Sequence, residues 1–234
     1  MPIKIFESIV LQNRMLTSTV TNLKFSLPKG FTFKAGQYLS ISRINEEGKK
    51  LRTPYSIATA PGSGTGEFCV KLVENGKASN FIKNLKEGDK IELFGPAGKF
   101  VVRDSSKEKN ICFVSTGTGI SAFASMIPSL LHEGFSNKLV LVKGFRDEED
   151  VLYDSEFKKL EKEYSNFEFH NVLSQPKDAS FENKGYVQDF LEKNMVDFKG
   201  DFYLCGLNEM INSVLRKLEG WGFDSKNIFF EEYD

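Results

Sequence analysis

Asn110-Ile111-Cys112-Phe113-Val114-Ser115, followed through Thr116 by Gly117-Thr118-Gly119-Ile120-Ser121-Ala122, is the stretch on which the fold turns. A compact apolar run stops at glycine and resumes with helical periodicity, which predicts a buried strand, a tight bend and a helix from Ala122 to His132. Glycines at such a bend let the backbone approach a phosphate, and the following helix offers free N–H groups and the positive end of its dipole. A strand-to-helix turn with no ligand has the same local pattern, because a lone G-x-G-x-x-A is weakly specific. An NAD-binding Rossmann unit wants an acid about 20 residues further on, at the end of the next strand. Here that strand ends in Lys143-Gly144-Phe145-Arg146, so the segment is either no dinucleotide site or one of a different design.

Downstream the same texture continues. Leu139 to Val142, Phe167 to Val172 and Phe202 to Leu204 read as buried strands, and Tyr153 to Glu163, Val187 to Lys193 and Glu209 to Leu218 as helices, which is the grammar of a parallel α/β domain. Upstream the chain changes character. Lys4 to Leu11, Thr19 to Leu27, Tyr38 to Ile44 and Glu67 to Leu72 are short β-branched and aromatic runs. They are separated by turn signals such as Pro28-Lys29-Gly30 and Pro61-Gly62-Ser63-Gly64. That spacing predicts an antiparallel barrel or sandwich. The charged stretch Arg103 to Lys109 has linker composition, so the expected division is an N-terminal β domain over residues 1–104 and a C-terminal α/β domain over 109–234.

Composition narrows the function classes. The 234 residues carry 31 basic and 32 acidic side chains, a balance that asks for neither nucleic acid nor an anionic membrane. No apolar run approaches the ~18 residues of a membrane span, and Met1-Pro2-Ile3-Lys4-Ile5 lacks a signal-peptide core, so a cytoplasmic location is expected. Cys69, Cys112 and Cys205 are scattered and never paired as C-x-x-C, which argues against a disulfide framework, a zinc knuckle or an iron-sulfur centre within the chain. With only His132 and His170, both expected at the surface, a His-rich metal site is impossible and a Ser-His-Asp hydrolase is disfavoured.

Two further segments carry chemistry. Gly76-Lys77-Ala78-Ser79-Asn80-Phe81 leads from a strand into a short helical pattern with Ser79 placed to cap it, which makes either a second anion cradle or a plain N-cap. Leu51-Arg52-Thr53-Pro54-Tyr55-Ser56-Ile57-Ala58 puts a cation, an aromatic ring and a hydroxyl on one extended strand. Those groups can grip a phosphate, stack on a flat heterocycle and hydrogen-bond its edge, although an amphipathic edge strand marked by Pro54 would look alike.

Taken in order, these segments resemble the ferredoxin–NADP reductase family of flavoenzymes over nearly the whole chain. Phe33-Lys34-Ala35-Gly36-Gln37-Tyr38 is similar to the F-x-x-G-Q-Y/F opening, and Arg52 to Ser56 resembles the R-x-Y-S flavin signature. Gly76 to Phe81 is similar to the G-x-x-S/T start of the helix that takes the flavin pyrophosphate, and Gly95-Pro96-Ala97-Gly98 to the G-P-x-G turn. Gly117 to Ala122 resembles the pyridine-nucleotide loop, Cys205-Gly206-Leu207-Asn208-Glu209-Met210 the C-G-x-x-x-M element, and Glu231-Glu232-Tyr233 the E-x-Y ending.

The resemblance implies a flavin-binding antiparallel β-barrel followed by a nucleotide-binding α/β domain, with FAD in the first and NAD(P)H entering between them. Arg52, Tyr55, Ser56, Gly76, Lys77, Ala78 and Ser79 would hold FAD, with Tyr55 stacked on the isoalloxazine ring and Ser56 bonded near its N5. Thr116, Gly117 and Gly119 would hold the coenzyme. Cys205 would border the nicotinamide, Glu231 would sit near the hydride-transfer centre, and Tyr233 would cover the flavin face that nicotinamide takes over. For coenzyme choice, Lys143 and Arg146 stand in place of an acid, and Ser174, Lys184 and Tyr186 resemble a 2′-phosphate site. The arginine expected after the serine is Gln175. NADP is therefore the expected coenzyme, with NAD the alternative.

One spacing departs from the family. The signature arginine belongs two residues before Tyr55, but Thr53 is there and Arg52 lies one further back, on the opposite strand face unless a bulge at Thr53-Pro54 restores it. The implied activity is transfer of hydride between NADPH and FAD, and of single electrons to or from ferredoxin or flavodoxin as a transient partner of a monomer. The alternatives are a flavin or ferric reductase, an oxygenase reductase component, or a nucleotide-binding redox sensor that does not turn over.

Overall fold

The computed structural model describes residues 3–233 and separates into two units, Met1–Val101 with Ser121–Ser129, and Val102–Ile120 with Leu130–Asp234. The first unit is an antiparallel sheet of β1 (Lys4–Met15), β2 (Val20–Ser26), β3 (Tyr38–Ile44), β4 (Lys50–Ser56), β5 (Thr65–Lys71) and β6 (Lys90–Ala97). Its strand order is β4-β3-β6-β1-β2-β5. The sheet curls so that a hydrogen bond from Ala58 N–H to the Glu67 carbonyl, 2.8 Å, joins the chain just after β4 to β5 at the far edge. Alternation along the strands turns Val10, Leu23, Phe25, Leu39, Ile41, Phe68, Val70, Ile91 and Leu93 inward. Each such side chain contributes roughly 1.5–3 kcal/mol by leaving water, which fixes the pairing because a one-residue slip would expose the whole set. Helix α1 (Lys77–Asn84) follows β5, and its Ile82 joins this core. The segment Gly95 to Gly98 is not a free turn. β6 runs through Ala97, with Gly95 paired to Lys4 and Ala97 to Tyr38.

In the second unit β7 (Asn110–Thr116), β8 (Leu139–Phe145), β9 (Phe167–Leu173), β10 (Gly200–Gly206) and β11 (Ile228–Glu232) form a parallel sheet. Its order is β11-β10-β7-β8-β9. The strands are covered on both faces, which is why β7, β8 and β10 read as continuous apolar runs. Helices α4 (Val187–Asn194) and α5 (Asn208–Gly220) pack Leu191, Ile211, Val214 and Leu218 on Cys112, Val114, Val142, Phe202 and Leu204. On the other face Phe157 of α3 (Asp154–Glu163) meets Phe167 and Phe169. Helix α2 (Ile120–His132) begins two residues earlier than its periodicity predicts, and its residues Ser121–Ser129 group with the first unit. There Ser125 donates to the Thr59 carbonyl at 2.7 Å. Among the described residues no helix is long and apolar enough to cross a membrane.

Candidate functional site

The parallel sheet reverses its strand order at β7. The chain runs outward through β8 and β9 and then crosses back to place β10 beside β7. Open α/β sheets bind ligands outside the carboxyl ends of their strands at such a switch point. Thr116 ends β7, Gly117–Gly119 make a single 3-10 turn, and α2 starts at Ile120. A Cβ on Gly119 would lie 2.3 Å from the Cys205 carbonyl oxygen, and one on Gly206, whose φ is +144°, would lie 2.3 Å from Thr116 Oγ1. Only glycine lets the two strand ends come this close. The Leu207 N–H donates to Thr116 Oγ1 at 3.2 Å across the same gap.

Beside it, Cys205 pairs in register with Glu231. Cys205 is fully buried, and burial, reinforced by the charge of Glu231, pushes its thiol up. The Tyr233 hydroxyl opposes this by hydrogen-bonding the sulfur. Burial also pushes Glu231 up to about 7. The Tyr233 N–H donates to the Gly206 carbonyl at 2.9 Å. The structure thus brings Thr116, Gly117 and Gly119 together with Cys205, Glu231 and Tyr233. It offers there a protonated thiol and a carboxyl able to hold a proton near neutral pH. Asp234, which follows Tyr233, lies outside the described residues.

Past the ends of β8 and β9, Arg146 Nε donates to Gln175 Oε1 at 3.1 Å, while the Ser174 N–H donates to the Phe145 carbonyl at 3.1 Å. Lys184 bridges to Leu173, and Tyr186, 62% exposed, precedes α4. Arg146, Ser174, Lys184 and Tyr186 therefore share one edge, and Gln175, in the arginine's place, holds Arg146. Lys143, the other residue that stands in place of an acid, does not share that edge. Its ammonium is wholly buried, bonds the Leu152 carbonyl at 2.9 Å and lies 3.5 Å from Asp154. It also sits 4.9 Å from the Phe169 ring centroid and 5.2 Å from that of Phe157, and burial lowers its pKa to about 8. It faces α3 and the core of the unit, where a phosphate has no access. His170 likewise is half-buried, its ring 4.8 Å from that of Phe190.

In the first unit Tyr55, on β4, packs its ring 5.5 Å from Phe68, and burial raises its phenol. Ser56 is buried at the end of β4, opposite Tyr38. Arg52 is not brought to Tyr55. Seven consecutive pairs from Tyr38↔Ser56 to Ile44↔Lys50 run without a bulge, so the period of two turns Arg52 to the other face. There its guanidinium lies 4.2 Å from the Phe94 ring centroid. The expectation for Ser79 also needs correction. Helix α1 starts at Lys77 after Gly76, and Ser79 is its third residue. Its hydroxyl donates back to the Gly76 carbonyl and accepts from the Val73 N–H, each at 3.2 Å. Gly76, Lys77, Ala78 and Ser79 still form a first turn with no acidic side chain and no side-chain cap on its amides. Sequence reasoning missed Arg43 of β3, whose Nε is buried without a hydrogen-bond partner among the described residues. No three His, Cys, Asp or Glu among the described residues gather as a metal-ligand set.

Comparison with known proteins gives a consistent set of matches. The family model described as the oxidoreductase FAD-binding domain matches residues 8–102, and that of the oxidoreductase NAD-binding domain matches 113–216. The phenol hydroxylase P5 protein of Acinetobacter pittii (strain PHEA-2) is 32% identical over 236 residues, 97% of this chain and 65% of that protein. The chain thus spans a little under two thirds of that relative. Ferredoxin–NADP reductase B of Sorangium cellulosum (strain So ce56) is 31% identical over 240 residues, 98% of both chains. Among solved structures, the Amycolatopsis cytochrome P450 reductase GcoB shares the fold with a TM-score of 0.90 at 23% identity, over 99% of this chain and 70% of that one.

Proposed function

The chain belongs to the ferredoxin–NADP reductase family, and from that premise we propose that it is an NADPH-dependent flavoprotein reductase that exchanges single electrons with a ferredoxin or flavodoxin. The observation that carries this reading is the cluster at the carboxyl ends of β7, β10 and β11. A glycine loop fit for a diphosphate stands there beside Cys205, Glu231 and Tyr233.

The first unit suits FAD. The first turn of α1 offers amides with no acid against them, the Tyr55 ring gives a flat apolar face, and Arg43 Nε lacks a partner for its buried donor. Bound FAD supplies the capacity to take a hydride from the coenzyme and release electrons singly. The chain's own residues orient and insulate. Tyr55 holds the flavin plane, Ser56 places a hydroxyl at its reacting edge, and the Gly76 to Ser79 turn binds its phosphates. Thr116 to Gly119 take the coenzyme diphosphate, and Glu231 holds a proton close to Cys205. Arg146, Ser174, Lys184 and Tyr186 read the coenzyme's adenosine end. Alignment of the reacting atoms and exclusion of water account for the protein's share of the rate. The enzyme works as a cytoplasmic monomer in this reading. The resemblance to the phenol hydroxylase protein favours a second reading, service to an oxygenase, with the same flavin chemistry and a different acceptor.

The test is the visible spectrum of the freshly purified chain. A yellow protein that bleaches with NADPH and returns with ferricyanide, and that releases FAD on heating, supports the reductase. A colourless protein, or release of FMN alone, overturns the FAD assignment.

A further inference from the structure

We propose that Arg43 on β3, and not Arg52 on β4, is the cation that binds the diphosphate of FAD. The proposal rests on the FAD reading above.

It starts from the faces of one strand pair. In the unbroken β3–β4 ladder Ser40 pairs with Pro54, Ile41 with Thr53, Ser42 with Arg52 and Arg43 with Leu51. Leu39, Ile41 and Arg43 therefore share a face with Leu51, Thr53 and Tyr55, whereas Ser42 and Arg52 point the other way. The surroundings agree. Leu39 and Ile41 belong to the core cluster against which Tyr55 packs. Ser42 instead donates to Glu92 at 2.8 Å, and Arg52 stacks on Phe94.

Thr53 occupies the position two residues before Tyr55 and supplies no cation there. Arg43 is its diagonal cross-strand neighbour. Such positions lie about 7–8 Å apart at Cα, within the span of an arginine side chain. A guanidinium from position 43 can thus occupy the space that one from position 53 would fill.

The state of the side chain points to an anion. Arginine carries five N–H donors, and its Nε here is buried with no acceptor among the described residues. A buried donor on a charged group is costly to leave unmade, and an oxyanion with several acceptor oxygens suits the guanidinium fork. The positive charge also reaches the Tyr55 phenol, where it opposes the upward push of burial. Arg43 and the proposed flavin-stacking ring are thus within electrostatic range of each other. Arg52 has no comparable buried donor, since it is exposed, with its guanidinium over the Phe94 ring.

Affinity measurements on the full chain test this. FAD and riboflavin, which lacks phosphate, are each titrated by fluorescence into wild type, Arg43→Gln, Arg43→Lys and Arg52→Gln. Arg43→Gln should weaken FAD roughly 10- to 100-fold, the loss expected of charge-assisted bonds, while riboflavin affinity stays within about twofold. Arg43→Lys should recover part of the FAD affinity, and Arg52→Gln should bind both as wild type does. FAD affinity unchanged in Arg43→Gln, an equal loss for riboflavin, or a selective loss in Arg52→Gln instead would each overturn the assignment. A wild type that binds riboflavin or FMN but not FAD would overturn the FAD reading and this inference with it. Normal FAD binding with an indifferent Arg43→Gln would sink the inference alone.

Discussion

Cys205 and Glu231 face each other across β10 and β11, a wholly buried thiol beside a largely buried carboxyl. Burial raises both, and the charge of Glu231 adds to the rise at Cys205, so at neutral pH the thiol keeps its proton and the acid is close to half-protonated.

The sign of the pH effect follows from Glu231. Its folded value of about 7 exceeds the ordinary 4.5, so the folded state binds this proton more tightly than the unfolded chain. The stability it contributes is fully present below pH ~4.5 and gone once pH has passed ~7. Melting curves of wild type and Glu231→Gln should therefore diverge with pH. From pH 5 to pH 8 the wild-type Tm should fall relative to the variant. Parallel curves would mean that the carboxyl is solvated and ordinary.

Tyr233 lends itself to a coenzyme measurement. Its ring is proposed to occupy the place that nicotinamide takes, so Tyr233→Ser should bind coenzyme more tightly and discriminate less between NADPH and NADH. Isothermal titration with NADP and NAD reads both effects. If the ring only finishes β11, the variant should melt earlier with both affinities unaltered.

Coenzyme preference should reside at Arg146 and Lys184. With ferricyanide as acceptor, Arg146→Ala and Lys184→Ala should each shrink the NADPH-over-NADH ratio of kcat/KM by about tenfold, near 1.4 kcal/mol for one charge-assisted contact. Lys143→Met should leave that ratio alone, because its ammonium lies behind Phe157 and Phe169. A changed ratio in Lys143→Met would mean that the buried face communicates with the coenzyme.

Gly119 and Gly117 should differ when replaced by alanine. At 119 the new methyl would meet the Cys205 carbonyl oxygen at 2.3 Å, a backbone atom that cannot step aside. At 117 it would meet nothing within 4 Å, and the only penalty is the φ of +54°. Gly119→Ala should cost about 1–3 kcal/mol plus loss of coenzyme binding, and Gly117→Ala about 1 kcal/mol. Thermal melts and NADP titration on both variants check this, and equal effects would contradict the close approach.

Much of this architecture was legible in the chain. The bend at Gly117 to Gly119 announces itself because a buried parallel strand leaves a run of apolar residues and glycine marks the break. Glu231 and Tyr233 were found through a motif at the end of an edge strand. What escaped depends on neighbours distant in sequence. Arg43 belongs to no local pattern, and its interest arises only when β4 is laid beside β3. The burial of Lys143 was equally hidden, because nothing nearby in sequence announces the rings of Phe157 and Phe169 around it. Ser79 looked like a cap because the cap rule favours serine, whereas Gly76 begins the helix three residues sooner and leaves Ser79 bonding backwards.

The attachment of Tyr233 is a hinge with a weak latch. Its main-chain N–H bond to the Gly206 carbonyl does not depend on which side chain position 233 carries, whereas the ring is restrained through a bond to sulfur, a poor acceptor. The two attachments are therefore separable: a change of side chain at 233 removes the bond to sulfur and leaves the strand end fastened.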